Sequence, residues 1–119
     1  MRCRIAKSFA FSAAHWLPRV PAGHKCGNMH GHTYEVVLGL EGDLDPDLQW
    51  VQDFGAVGAA VAPLRERLDH CCLNDLPGLE NPTAERLAIY VYEQLKPVLP
   101  LLADVAVREN RTSEALYRP

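Results

Sequence analysis

The chain predicts an α+β fold: two strands, two helices and two further strands, giving a four-stranded antiparallel sheet with both helices on one face. Apolar residues alternate along residues 2–15 and again from His30 to Leu40. They recur at helical spacing from Phe54 to Leu68 and from Ala84 to Leu95. Strand-like patterns then return over 104–109 and 113–118.

The first strand sets Cys3, Ile5, Phe9, Phe11, Ala13 and His15 on one face, with Lys7 among them. Pro18, Pro21, Gly23 and Gly27 make the stretch from Leu17 to Asn28 a loop. The second strand puts His30, His32, Tyr34, Val36, Leu38 and Leu40 on one face, and Thr33, Glu35 and Glu41 on the other. It ends in the turn-rich residues Glu41 to Asp47. A helix starts near Asp53, whose carboxylate suits a cap, and Phe54, Val57, Val61, Leu64 and Leu68 form its core stripe. Pro63 removes a backbone donor inside it, so a kink or a break is expected there.

A loop from Leu68 to Asn81 follows. Asn81-Pro82-Thr83 opens the second helix, with either Asn81 or Thr83 as its cap. Leu87, Val91 and Leu95, with Ala84 and Ala88, form the buried face, and Pro97 and Pro100 close the helix. The last strands run from Asp104 to Glu109 and from Ser113 to Arg118. No repeat or linker interrupts the pattern, so residues 1–119 are expected to form one domain. The two open edges of such a sheet favour sheet-to-sheet assembly between subunits.

A content of 48% hydrophobic and 23% charged residues describes an ordinary globular chain rather than a disordered one. The formal net charge of -3, without any Lys/Arg cluster, argues against a nucleic-acid partner. The longest apolar run, Gly55 to Leu64, is far short of the ~20 residues a membrane span requires. Arg2 and Arg4 before Phe9–Ala14 imitate a signal peptide, but Lys7 interrupts the stretch and His15 ends it. Cys3, Cys26, Cys71 and Cys72 show no framework spacing, so reduced thiols in a cytoplasmic protein are expected.

The candidate chemistry centres on Cys26-Gly27-Asn28-Met29-His30-Gly31-His32. Strand geometry points the rings of His30 and His32 to one face, and His15 ends the other strand on its apolar side. Packing alone explains three such rings badly, because each buried imidazole needs a hydrogen-bond partner. Three neutral imidazoles suit zinc and leave a coordination position open. Cys26 has two readings by spacing: a fourth ligand that closes a structural site, or a free thiolate acting as base or nucleophile. Asp69-His70 would matter if the fold brings it near Cys26, where His70 could shuttle a proton and Asp69 orient its ring. Glu109 shares a face with Val105 and Val107; it is either a strand end reaching water or a carboxylate suited to a guanidine-like ligand edge.

The motifs Phe11-Ser12-Ala13-Ala14-His15, Gly23-His24-Lys25-Cys26-Gly27, His30-Gly31-His32, Asp53-Phe54, Leu68-Asp69-His70, Leu73-Asn74, Asn81-Pro82-Thr83-Ala84-Glu85 and Glu109 with Thr112-Ser113 run the length of the chain. Together they resemble, in order, the 6-pyruvoyl-tetrahydropterin synthase / 6-carboxytetrahydropterin synthase family. The resemblance implies the tunnelling fold (T-fold), in which sheets from several subunits close a barrel. It also implies a homohexamer built as a dimer of trimers, with active sites at subunit interfaces.

On the same resemblance, His15, His30 and His32 would hold Zn2+, and Cys26 would be the catalytic base rather than a ligand. Asp69 and His70 would form a proton-relay pair, and Glu109 would anchor the 2-amino/N3 edge of a pterin. Lys25 and arginines of neighbouring subunits are candidates for the substrate's triphosphate. The three residues between Cys26 and His30 resemble the bacterial enzymes of queuosine and 7-deazapurine biosynthesis. The implied reaction converts 7,8-dihydroneopterin triphosphate to 6-carboxy-5,6,7,8-tetrahydropterin, losing acetaldehyde and triphosphate. Rival readings are a 6-pyruvoyl-tetrahydropterin synthase, an aldolase-like side-chain cleavage, and a non-catalytic module with a structural zinc site of one cysteine and three histidines. Cys71-Cys72 and Asn110 depart from the family pattern, the first where bulkier residues are usual and the second where threonine is common.

Overall fold

In the computed structural model, which describes residues 1–119, the alternating segments form β1 (Arg2–His15) and β2 (His30–Asp43). They pair antiparallel from Arg2↔Asp43 to His15↔His30. β3 (Leu102–Arg108) joins β2, and β4 (Ala115–Tyr117) joins β3, so the sheet order is β1-β2-β3-β4. α1 (Phe54–Leu68) and α2 (Ala84–Leu95) cover one face. Single helical turns occupy Lys25–Gly27 and Leu73–Asp75, inside stretches expected to be plain loop.

Between the layers, Phe11, Tyr34, Val36, Leu38, Leu40, Val105 and Val107 of the sheet meet Val57, Val61, Leu64, Leu68, Leu87, Val91 and Leu95 of the helices. Each fully buried side chain of this kind stabilises the fold by about 1.5–3 kcal/mol. Lys7 fits the apolar face of β1 because its Cε lies 3.8 Å from where a Cβ on Gly58 would stand. The aliphatic stem covers a helix surface that lacks a side chain. Phe54 is the exception to its stripe: it is half exposed, one residue after the cap.

Several boundaries differ from expectation. The break at Pro63 does not occur, and α1 runs unbroken to Leu68 because Val61, Leu64 and Leu68 anchor both sides of the proline in the core. β2 extends to Asp43, since its pairing with Arg2 holds the turn-prone end. β3 begins at Leu102 and stops before Glu109. β4 is only Ala115–Tyr117, since Ser113 and Arg118 lie outside its ladder.

On the face away from the helices, one polar cluster crosses all four strands. Asp104 of β3 is buried and accepts a bidentate pair from Arg4 of β1, at 2.7 and 2.8 Å. Arg118 Nη2, just past β4, donates to Asp104 at 2.9 Å and to Glu41 of β2 at 2.8 Å. The guanidinium of Arg4 passes over Gly39, where a Cβ would stand 2.3 Å from its nitrogens and from Asp104 Oδ1. A glycine is therefore a steric requirement of this bridge.

The outer edge of β1 is partly closed by the chain itself. Ala10 C=O accepts from Arg65 Nε at 2.8 Å, and Ser12 N–H donates to Asp69 Oδ1 at 3.0 Å. Ser12 C=O accepts from His70 N–H at 2.6 Å, and Ala14 N–H donates to Cys71 C=O at 2.9 Å. Ala14 and Cys72 form a parallel bridge. Nothing in the chain covers the edge from Arg2 to Ser8 in this way.

Candidate functional site

The register that pairs His15 with His30 and Ala13 with His32 brings three imidazoles to one end of the β1–β2 ribbon. Their rings lie 4.6 Å (His15–His30), 5.0 Å (His15–His32) and 5.0 Å (His30–His32) apart, centroid to centroid. One potential ligand atom from each falls within 4.8 Å of the others. His15 is 1% exposed, and the other two are half-buried.

Backbone carbonyls set the tautomers. His15 Nδ1 donates to Pro82 C=O at 2.8 Å, and His30 Nδ1 donates to Asn28 C=O at 2.7 Å. A carbonyl only accepts, so each Nδ1 carries the proton and each Nε2 presents a lone pair. Nε2 of His15 and Nε2 of His32 are buried without a hydrogen-bond partner. A buried polar atom left in this state costs about 1–3 kcal/mol. Burial is the main cause that holds the His15 pKa below its usual value, against the opposing bond to Pro82, and this favours the neutral ring a metal needs. Three converging imidazoles, two of them with an unpaired buried Nε2, fit zinc and leave room for a further ligand.

The floor and rim of the cluster come from residues to which the sequence pattern gave no part in the site. Tyr34 packs edge-on against His15 at 5.7 Å and His32 at 5.4 Å, with its buried hydroxyl unpaired and its pKa pushed up by burial. Asn74 clamps the residue after His15: Trp16 N–H donates to Asn74 Oδ1 at 3.0 Å, and Asn74 Nδ2 donates to Trp16 C=O at 2.8 Å. The Pro82 carbonyl stands next to Thr83, whose hydroxyl caps α2 by accepting from Arg86 N–H at 3.0 Å. The sequence signals for this rim were Tyr34 on the histidine face of the strand, Leu73-Asn74 without an assigned role, and Asn81-Pro82-Thr83, read only as a helix start.

Cys26 sits in the Lys25–Gly27 turn, half-buried, as a free thiol outside the histidine group. The group of possible ligand atoms is thus the three histidines. Glu109 lies one residue beyond β3, and its Oε2 is 3.8 Å from His32 Nε2. It also lines a cavity of about 490 Å³ together with Leu17, Thr83, Glu85 and Ser113. The carboxylate thus leans towards the histidines instead of reaching freely into water.

Asp69 and His70 stand on the outer edge of β1. Asp69 Oδ2 is 3.0 Å from His70 Nδ1, while Oδ1 takes the Ser12 amide. The Ser12 amide, then the His70 ring, hold the Asp69 carboxyl below the usual range. His70 adopts a positive φ of 59°, and its side chain is 81% exposed. The cavity beside it, about 590 Å³, is lined by Ser12, His32, Thr33 and Cys72 but not by Cys26. Within one chain His70 lines this cavity and Cys26 does not. The segment carrying the departure Cys71-Cys72 packs locally: Cys71 Sγ donates to Leu68 C=O at 3.0 Å. Asn110, the other departure, turns its Oδ1 to the Thr112 amide at 2.9 Å.

No helix is long and apolar enough to cross a membrane. Residues 4–119 match the sequence model described as 6-pyruvoyl tetrahydropterin synthase. The chain is 37% identical over 119 residues to the 6-carboxy-5,6,7,8-tetrahydropterin synthase of Synechocystis sp., covering 95% of this chain and 91% of that one. It is 34% identical over 127 residues to the enzyme of the same name from Bacillus subtilis, covering 97% and 84%. The solved structure of Caenorhabditis elegans 6-pyruvoyl tetrahydropterin synthase is similar across 100% of this chain and 96% of its own, with a TM-score of 0.92 at 27% identity.

Proposed function

The chain belongs to the 6-pyruvoyl tetrahydropterin synthase family, and within it we propose a zinc-dependent lyase of the 6-carboxy-5,6,7,8-tetrahydropterin synthase type. Its substrate would be 7,8-dihydroneopterin triphosphate, and its by-products acetaldehyde and triphosphate. The observation that carries the reading is a cluster of three imidazoles, two of them with unpaired, buried Nε2 atoms, and a free thiol outside that group. The three residues between Cys26 and His30, with two relatives of that name, favour the carboxy-type product.

In this reading His15, His30 and His32 hold the zinc. When bound, zinc supplies a Lewis acid that polarises the oxygens of the substrate side chain and acidifies the adjacent C–H. Cys26, as thiolate, takes that proton. The free Nε2 of His70 returns protons during carbon–carbon cleavage, with Asp69 fixing the ring through Nδ1. Glu109 pairs with the 2-amino/N3 edge of the pterin, a bidentate match for a carboxylate. The exposed His70 suits delivery to a neighbouring subunit's site, so a homohexamer with shared active sites belongs to the proposal. A cytoplasmic setting and a product destined for queuosine or another 7-deazapurine belong to it as well.

The test is product analysis on protein whose metal is quantified in the same sample. Carboxytetrahydropterin with acetaldehyde is expected at one zinc per chain. Pyruvoyl-tetrahydropterin, or simple side-chain cleavage, would reassign the chain to a sister activity. Cys26→Ala separates enzyme from zinc module: the enzyme reading expects full zinc and lost turnover, and the module reading expects lost zinc and lost stability.

A further inference from the structure

No hydrogen bond reaches the Cys26 sulfur within the chain, so the place of the half-buried thiol depends on the backbone of its turn and on packing. That backbone is held at both polar groups. Cys26 N–H donates to Nδ1 of His24 at 3.0 Å, and Cys26 C=O accepts from Leu17 N–H at 2.8 Å. Gly27 N–H donates to His24 C=O at 3.0 Å, and His24 N–H donates to Pro21 C=O at 3.0 Å. Downstream, Asn28 N–H donates to Lys25 C=O at 3.2 Å, and Asn28 C=O accepts from the His30 ring. The turn is thereby stapled on one side to the segment leaving His15, and on the other to a ring of the histidine cluster.

His24 holds the cap position of this turn, with φ -69° and ψ 133°. Short Asn and Asp side chains commonly accept there from the amide two residues on. A histidine does so only as a neutral ring with its proton on Nε2, which leaves Nδ1 bare. The side chain therefore acts as an acceptor of defined reach, and no carboxylate forms an ion pair with it.

We propose that His24 is a positioning residue for the Cys26 thiol, its Nδ1 locking the turn that carries the sulfur. The inference rests on the reading of Cys26 as base. A displaced thiol would slow proton removal and leave substrate binding alone. A shift of about 1 Å at a reacting group is enough to cost up to about 100-fold in rate.

Three variants of the full-length zinc-loaded protein test this: His24→Ala, His24→Asn and His24→Gln. For each, kcat and KM are measured with 7,8-dihydroneopterin triphosphate. Iodoacetamide labelling of the Cys26 peptide is timed against the Cys72 peptide. His24→Ala is expected to lower kcat about 10- to 100-fold with KM changed less than about twofold, and to alter Cys26 labelling relative to Cys72. His24→Asn, which places an amide oxygen near the original Nδ1, is expected to stay within about threefold of wild type. His24→Gln reaches one methylene too far and is expected to behave like the alanine variant.

Wild-type kcat and labelling in His24→Ala, or equal impairment in Asn and Ala, would overturn the inference. If His24→Ala does not fold, Asn against Gln decides, and equal values overturn it. Cys26→Ala run alongside keeps the two ideas apart. Retained turnover there removes the base reading, while the labelling rates still judge His24. Lost turnover there with an unaffected His24→Ala removes only the positioning role.

Discussion

A carbonyl and a side-chain amide behind His15 set how its ring enters the histidine cluster. The Asn74 side chain grips both backbone groups of Trp16, and the Pro82 carbonyl fixes the His15 tautomer. Asn74→Ala is therefore expected to weaken zinc binding by about 10-fold with the three histidines intact, read by competition with a chelator. An unchanged affinity would leave Asn74 a loop-packing residue only. At this scale the histidines were legible because side-chain type and period-2 spacing announce them. The carbonyls of Pro82 and Asn28 were not, since a backbone acceptor has no residue signature and its aim depends on loops that pattern does not describe. Glu109 was half legible: the alternation with Val105 and Val107 points it inwards, but the strand that should carry it ends at Arg108.

Among the elements, the bridge from Arg4 through Asp104 to Arg118 spans strands that are neighbours in space and distant in sequence. Hydrogen bonds from Arg4 come first in holding the Asp104 carboxyl below its ordinary value, with Arg118 adding to them. A depressed carboxyl pKa stabilises the fold fully above the unfolded value of about 3.9, and this is lost as pH falls through the folded value. Asp104→Asn is thus expected to cost about 2–3 kcal/mol at pH 7, measured by urea unfolding, with the difference from wild type shrinking below about pH 4. Gly39→Ala, which drives a methyl into the same guanidinium, is expected to destabilise the protein as well. Its cost should be less than additive with Asp104→Asn, because both break one bridge. The cap at Thr83 gives a separate check: Thr83→Ala is expected to cost about 1 kcal/mol in the same unfolding measurement. Periodicity reported the strands and helices because burial on one face writes it. It was silent on this bridge, whose members read one by one as ordinary surface charges.

For the whole molecule, the elongated shape, 57 × 23 × 23 Å, reflects a two-stranded ribbon longer than the helical layer above it. Light scattering is expected to give the mass of six chains. Mixing inactive Cys26→Ala with inactive His70→Ala is expected to restore up to about a quarter of wild-type activity, if thiol and relay come from different chains. No recovery would place both in one subunit. The α+β order was readable from alternation and helical spacing, whereas the placing of His70 on the outer edge of β1, in a cavity that Cys26 does not line, was not, because it depends on where the Arg65–Cys72 segment docks. That docking has a further effect. With Ala10 to Ala14 already satisfied by the chain's own Arg65–Cys72 segment, a neighbour's strand can zip onto β1 only along Arg2 to Ser8. In a ring assembled along that edge, the seam would part before it reached the histidines, and the parted seam would be a doorway through which a bulky, highly charged guest could enter and its fragments leave without the ring ever opening.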